Sequence, residues 1–348
     1  MKHILIDCRF GDSLSGLGRY TRELVTHLVA KNSDIQYSLL LRNSHARWIP
    51  DHIAADQRIH ADIAHYSFAE QMKLPSIIKK SGADLFFSLH FNVPLSCPIP
   101  FVVTIHDLIL HRYPNDASIL KRLAYKKIMQ HAVTYARSII SISDFVKQEL
   151  QDAYGKKISQ KITVIHEGVD KNYRSVDIHE VQRVRQQYHL QKPYFLYIGN
   201  VKQHKNVQVL LDAFIASDRN DCDFVLISGG KEWSRFGEFP PNIKIIRDVP
   251  DADMPALLSG SLCFVTASLY EGFCLPVAEA LACGTPVVAT NGSAIREIAE
   301  GHAMLVEPDV ESFIGAFRNP PSKVEPYRIG SWEQTARKTK EVLLSSIQ

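Results

Sequence analysis

The order of its apolar runs constrains this chain more than any other feature. Apolar segments of strand length lie at residues 3–8, 37–41, 85–89, 101–105, 138–142 and 162–165. They alternate with stretches of helical periodicity at 19–30, 119–135 and 145–154. After a polar connection at 171–192 the alternation restarts, with strand-like runs at 194–198, 224–227, 243–246, 262–266, 287–289 and 304–306. Helical stretches in this second half include 207–217, 254–258 and 275–283. Runs that are apolar on both faces suit parallel strands covered by helices, and the helical stretches supply the crossovers. At 348 residues the chain exceeds what one core ordinarily serves. The sequence therefore predicts an α/β protein of two Rossmann-like domains, each a doubly wound parallel sheet. Ligands of such sheets bind outside the carboxyl ends of the strands, so a cleft between the two domains is the expected site.

Composition narrows the partners. The formal net charge is only +3, which gives no reason to expect nucleic acid. Residues 1–170 carry 21 basic against 16 acidic side chains, and residues 171–348 carry 19 against 21. A mildly basic first half suits an acidic acceptor or a membrane surface, and equally fits ordinary scatter. The six cysteines form no C-x-x-C pair, which fits reduced, cytoplasmic usage rather than a disulfide framework. The N-terminal run contains Asp7 and reads as a strand, not a signal peptide. No apolar run reaches spanning length, so any membrane contact is expected to be peripheral, at the inner face.

The chemistry concentrates between residues 271 and 289, which read EGFCLPVAEALACGTPVVA. Two carboxylates, Glu271 and Glu279, flank a short turn and the start of a helix with Pro276 in its first turn. A helix N-terminus offers unpaired N–H groups and partial positive charge, which suit a phosphate. A carboxylate one turn in can hold hydroxyls nearby. Phosphate and hydroxyls together describe a nucleotide-sugar.

Other segments could join that site. Gly16 and Gly18 follow the first strand and open a helix, where glycine permits close backbone approach. A third glycine and an acidic residue after the second strand are missing, so a nicotinamide fingerprint is not met. His106 ends the strand at 101–105, where it could hydrogen-bond a sugar hydroxyl. His90 is a lesser candidate on the acceptor side. The loop Gly199-Asn200-Val201-Lys202-Gln203-His204-Lys205-Asn206 brings cations for phosphate oxygens, with Asn206 as a possible helix cap. Asp251 and Asp253 imitate a metal-binding D-x-D, but they precede a helix and read as helix capping. Lys121, Arg122, Lys126 and Lys127 make a basic helix that could lie on anionic lipid, or simply face water.

Together these segments resemble the retaining glycosyltransferase family 4, whose fold is GT-B. The resemblance runs from residue 1 to about 337. Its most specific part is the stretch from Glu271, similar to the family's E-x7-E signature. Supporting matches are GLGRY, VVTIHD, SISDFVKQEL, VIHEGVD, GNVKQHKN and SWEQTARKT. The resemblance implies domains at 1–172 and 173–330, with 331–348 returning as a helix to the first. It implies that His106 contacts the donor sugar near C6 and that Gly16 and Gly18 admit the donor diphosphate. Lys205 would bind that diphosphate, Glu271 the sugar hydroxyls and Glu279 the ribose. The backbone of Phe273, Cys274 and Leu275 would meet sugar and phosphate. Where many members carry Arg, this chain has Asn200, so Lys202 or Lys205 would supply the charge. Cys274 stands where Gly is usual.

The implied reaction moves a hexose from a nucleoside diphosphate with retention, by front-face substitution and without a covalent adduct on Glu271. No metal is expected, since Lys and N–H groups neutralise the diphosphate. The G-N-x-x-x-H-K-N form is closest to bacterial mannosyltransferases that use GDP-mannose, and the acceptor expected is a polysaccharide or lipid-linked glycan. A UDP-sugar donor of glucose type is the alternative. A nucleotide-sugar epimerase, a non-catalytic binding subunit and a dehydrogenase are the competing classes.

Overall fold

The structure is a computed structural model that describes residues 1–13, 15–29, 35–114, 118–228, 233 and 236–347. It divides into two compact units, Met1–Gly168 with Trp332–Gln348, and Val169–Ser331.

The first unit is a seven-stranded parallel sheet. Its strands are β1 (Lys2–Asp7), β2 (Ile35–Leu41), β3 (Arg58–His60), β4 (Leu85–Ser88), β5 (Phe101–Ile105), β6 (Ser138–Ser141) and β7 (Ile162–Val164), in the order β3-β2-β1-β4-β5-β6-β7. Helix α1 (Gly16–Leu28) follows β1, and Ala30, the end expected for it, lies outside the described residues. Ser15 caps α1 by accepting a hydrogen bond from the Gly18 N–H at 3.3 Å. A Cβ on Gly18 would fall 1.9 Å from the Ser13 carbonyl oxygen, so this approach admits only glycine. Gly16 has open space around it.

Helix α2 (Phe68–Lys80) and strand β3 were not legible as elements in the sequence. A short helix, α3 (Ile109–Arg112), precedes α4 (Ile119–Tyr135), and α5 (Asp144–Tyr154) crosses from β6 to β7. The last helix of the chain (Trp332–Ser346) packs on α1, with Trp332 set edge-on to Tyr20 at 5.8 Å.

The second unit begins with helix α6 (Ile178–Gln187), which occupies the expected polar connection. Its parallel sheet has six strands: β8 (Tyr194–Ile198), β9 (Asp223–Ile227), β10 (Ile243–Ile246), β11 (Cys263–Thr266), β12 (Val287–Thr290) and β13 (Met304–Val306), in the order β10-β9-β8-β11-β12-β13. Helices α7 (Val207–Ala216), α8 (Met254–Ser259), α9 (Leu275–Ala282), α10 (Ser293–Ala299) and α11 (Val310–Arg318) cover it. Phe195, Phe214, Phe224 and Phe317 interlock at ring separations of 4.9–6.3 Å beneath α7 and α11.

Both sheets reverse their direction of winding once. In the first unit the reversal lies between β1 and β4, and in the second between β8 and β11. Loops leaving the carboxyl ends of those neighbouring strands splay to opposite faces and open a crevice, where ligands of doubly wound sheets bind.

Candidate active site

In the second unit the loops after β8 and β11 meet at this reversal. The loop after β8 is held to its own strand, since the Tyr197 hydroxyl donates to the Asn200 carbonyl at 2.6 Å. A Cβ on Gly199 would fall 2.8 Å from that hydroxyl. The Lys202 N–H then donates to Asn200 Oδ1 at 3.2 Å, and one tight turn carries the chain to Lys205. Asn206 adopts a left-handed backbone and its side chain does not cap α7; its Nδ2 donates to the Pro308 carbonyl at 3.2 Å.

The loop after β11 is tied to the first loop and to α10. The Leu269 N–H donates to the His204 carbonyl at 2.7 Å, Thr290 Oγ1 to the Ser268 carbonyl at 2.6 Å, and the Ala294 N–H to the Glu271 carbonyl at 3.3 Å. These anchors bring Lys205 Nζ to 2.5 Å from Glu271 Oε1, with both side chains largely buried. Two residues 66 positions apart thus form an ion pair at the sheet's reversal point. Asn200 and Lys202, the other charge and donor candidates of this loop, are exposed.

Cys274 accounts for the turn between Glu271 and α9. Its φ is +79° and ψ 64°, a left-handed backbone that favours glycine. The side chain is buried, and its thiol is pushed well up, first by burial and then by the adjacent Glu271 charge. It is a neutral filler beside the carboxylate, not a nucleophile. Cys274→Gly is expected to change stability by less than about 1 kcal/mol, the left-handed strain relieved offsetting the added chain entropy and the lost packing of a buried side chain. Cys274→Val, β-branched at positive φ, is expected to cost about 1–3 kcal/mol. Denaturant midpoints of the two variants check this, and a Gly variant less stable than Val would contradict it.

Helix α9 starts at Leu275 with Pro276 in its first turn, where a missing N–H costs nothing. Phe273, Cys274 and Leu275 are buried at that N-terminus, and Glu279 lies one turn in with only 4% of its surface exposed. The sequence candidates Glu271, Phe273, Cys274, Leu275, Glu279 and Lys205 are therefore gathered on one unit.

Asp253 is buried but does not cap α8 through its side chain, contrary to the expectation. It accepts from Arg183 Nη2 at 2.9 Å, Gln187 Nε2 at 2.9 Å and the Tyr188 hydroxyl at 2.8 Å, tying α6 to the start of α8.

In the first unit, His106 follows β5. Its Nε2 donates to the Leu89 carbonyl at 2.9 Å, its Nδ1 lies 3.4 Å from Glu167 Oε1, and its ring meets Tyr20 edge-on at 4.5 Å. A carbonyl only accepts, so Nε2 carries a proton. Both ring nitrogens are engaged inside the unit, which differs from a histidine free to bond a hydroxyl.

The reversal point of the first unit holds residues the sequence reading did not single out. Arg9 Nη2 lies 2.6 Å from Asp7 Oδ2 and 2.7 Å from Glu70 Oε1, all three side chains buried. Glu70 Oε2 accepts from Asn92 Nδ2 at 2.7 Å and from the Tyr66 N–H at 2.8 Å, holding Tyr66 in a left-handed backbone with φ +58°. Beside this network Phe10 stacks on His65 at 3.6 Å, and Tyr66 and His90 meet at 5.9 Å. Withdrawal from water, with the neighbouring His106 and His65 rings opposing a further positive charge, holds His90 well below the ordinary imidazole range, so it is neutral near pH 7. The signal for Arg9 was its place two residues beyond a strand's carboxyl end.

Comparison with known proteins adds to this geometry. Residues 192–319 match the family model described as glycosyl transferases group 1, and residues 14–173 match glycosyltransferase family 4. The O-antigen chain mannosyltransferase B of Escherichia coli is 28% identical over 328 residues, covering 87% of this chain and 86% of its own. The O-antigen chain mannosyltransferase RfbU of Salmonella typhimurium is 24% identical over 265 residues, covering 73% of this chain and 69% of its own. Among solved structures, Anabaena HepE in complex with UDP and glucose shares the fold, with a TM-score of 0.71 at 16% identity, over 99% of this chain and 95% of its own.

Proposed function

We propose that this chain, which belongs to the group 1 and family 4 glycosyltransferases of GT-B fold, transfers mannose from GDP-mannose with retention at the anomeric carbon. The acceptor in this proposal is a polysaccharide or lipid-linked glycan. The observation that carries it is the Lys205–Glu271 pair, placed at the reversal between β8 and β11 beside the N-terminus of α9. The printed names of the two relatives, both O-antigen chain mannosyltransferases, support the sugar and the kind of product.

Breaking the glycosyl–phosphate bond builds negative charge on the leaving phosphate. Lys205 and the N–H groups at the start of α9 are fixed in advance to meet that charge, so little reorganisation is needed at the moment of reaction. Until the donor arrives, Lys205 and Glu271 neutralise one another. On this proposal the diphosphate takes over the ammonium and sugar hydroxyls take over the carboxylate. Glu279 holds the ribose. Glu271 holds hydroxyls and does not attack, and the acceptor proton passes to the leaving phosphate. Lysine and backbone dipoles supply the positive charge, so the reaction proceeds without metal.

A thermal-shift panel of GDP-mannose, UDP-glucose, ADP-glucose and dTDP-glucose, run in EDTA, tests the donor. A ligand at about 100 times its Kd stabilises the folded state by about 2.7 kcal/mol. GDP-mannose alone is expected to raise the melting temperature. A shift with UDP-glucose alone would assign the glucose-type donor instead, and a flat panel would count against a nucleotide-sugar site. Release of GDP from GDP-mannose in the presence of acceptor glycan separates an enzyme from a binding subunit.

A further inference from the structure

Asn206 stands at the capping position of α7 and leaves that helix without a side-chain cap. An asparagine there ordinarily takes an extended backbone and accepts from the N–H groups of the first turn. Here its backbone is left-handed, with φ +52° and ψ 35°, and its Nδ2 donates to the Pro308 carbonyl 102 positions along the chain. That carbonyl is itself held in place, because the next residue, Asp309, caps α11 by accepting from the Ser312 N–H at 2.8 Å. A residue well suited to capping thus makes a different bond, one that ties the loop after β8 to the loop after β13.

Lys205 lies between two such ties. Before it, the His204 carbonyl accepts from the Leu269 N–H at 2.7 Å and from Ser268 Oγ at 3.4 Å, both in the loop after β11. After it comes Asn206. The backbone on either side of the lysine is therefore fixed to two different loops. Asn206, Cys274 and Ser293, non-glycine residues with left-handed backbones, all adjoin the ion pair. Asn206 follows Lys205, Cys274 lies just past Glu271, and Ser293 precedes Ala294, whose N–H donates to the Glu271 carbonyl at 3.3 Å. Backbone of this kind is uncommon outside glycine and gathers at functional sites.

We propose that Asn206 is a positioning residue for Lys205. Lysine carries a compact charge on a flexible stem, so the reach of its ammonium depends on how firmly its backbone is held. Glu271 fixes the far end of the stem through the ion pair. On the proposed reaction the diphosphate takes over the ammonium, and the backbone ties are then what aims it at the leaving phosphate. The Asn206–Pro308 bond holds one side of that backbone and the His204 carbonyl holds the other. Asparagine suits both parts of the task, since it tolerates a left-handed backbone better than most residues and its amide can donate. This role for Asn206 rests on the diphosphate role proposed for Lys205.

Asn206→Gly keeps the left-handed backbone and removes the amide, so it is expected to fold, with a melting temperature within about 4 °C of the parent. Its kcat for transfer from GDP-mannose is expected to fall about ten-fold, the order of loss that a small misplacement of a catalytic group brings. KM is expected to change less than kcat, because the tie matters most when the leaving phosphate gains charge. Asn206→Asp keeps the side chain's size and its backbone but can only accept, so it is expected to lose at least as much as the glycine variant. That result separates the lost bond from glycine's added freedom. In a double-mutant cycle, Asn206→Gly placed on Lys205→Ala is expected to leave kcat where the single alanine variant has it, since no ammonium remains to be aimed. A kcat for Asn206→Gly within about two-fold of the parent, or the same fractional loss with and without Lys205, would overturn the proposal. It would leave Asn206 as a tie between α7 and α11 alone. A Lys205→Ala variant as fast as the parent, or a parent that transfers from no nucleotide-sugar, would overturn both this role and the reading of Lys205 beneath it. A slow Lys205→Ala beside a fast Asn206→Gly would overturn this role only.

Discussion

Replacing Lys205 by alanine is expected to lower kcat for sugar transfer by about 10²–10³, the cost of removing one fixed donor from a developing oxyanion. The ammonium is held 2.5 Å from Glu271 by two loops that are themselves bonded together, so it is fixed before any substrate arrives. Its loss removes positive charge that matters most when the leaving phosphate becomes more negative, so kcat falls more than KM rises. Lys205→Arg is not expected to restore the rate, because a planar fork of different reach replaces a compact point charge. The fold should survive, since both side chains keep some contact with water and Glu271 can be hydrated once its partner is gone. Steady-state kinetics on both variants, with melting temperatures as a control, make the check. A kcat for the alanine variant within about three-fold of the parent would remove Lys205 from the chemistry.

What the sequence revealed and what it hid follow from the same physics. Strands buried on both faces, such as Phe101–Ile105 and Tyr194–Ile198, carry unbroken apolar runs that announce themselves. Helix α2 was hidden because its exposed face carries Phe68 and Met72 and its interior carries Pro75, which blurs the helical period. The Ser67–Glu70 spacing at its start was the signal available, and Ser67 does cap the Glu70 N–H at 3.1 Å. Helix α6 was taken for a polar connection because only Val181 and Val184 are buried along it, although Asp177 accepts from the N–H groups of His179 and Glu180. Glu271, Glu279 and Lys205 could be named as candidates from their place at strand and helix ends. Their pairing could not, because it depends on β8 and β11 being neighbours, which no local pattern states. Cys274 could be seen as odd, but the left-handed backbone that explains the oddity is a fact of three dimensions.

Replacing Arg9 by methionine is expected to cost about 3–5 kcal/mol of stability, the penalty for taking one partner from a buried ionic network. Arg9 is enclosed between Asp7 and Glu70, and its removal leaves two carboxylates out of water with only the His65 ring, 4.0 Å from Glu70 Oε1, beside them. Glu70→Gln is expected to cost less, because Asp7 still pairs with the guanidinium and the amide can still accept from the Tyr66 N–H. The deficit of the methionine variant should depend on pH, and its sign can be worked out. In the parent, burial pushes the Asp7 carboxyl up, but the Arg9 charge and hydrogen bonds more than cancel this and hold it below its ordinary value. That stabilisation is present above the unfolded carboxylate range and is lost as pH falls through the folded value. In the variant both carboxyls rise, because burial then acts unopposed. Their penalty is full near neutrality and is relieved as acid protonates them. The stability gap between parent and variant therefore narrows from pH 7 towards the carboxylate range. Trp48 and Trp332, two of the chain's three tryptophans, lie in the first unit, so denaturant curves followed by tryptophan fluorescence report on it. A gap that stays constant across that range, or widens in acid, would show that Arg9 acts through packing and not through its charge.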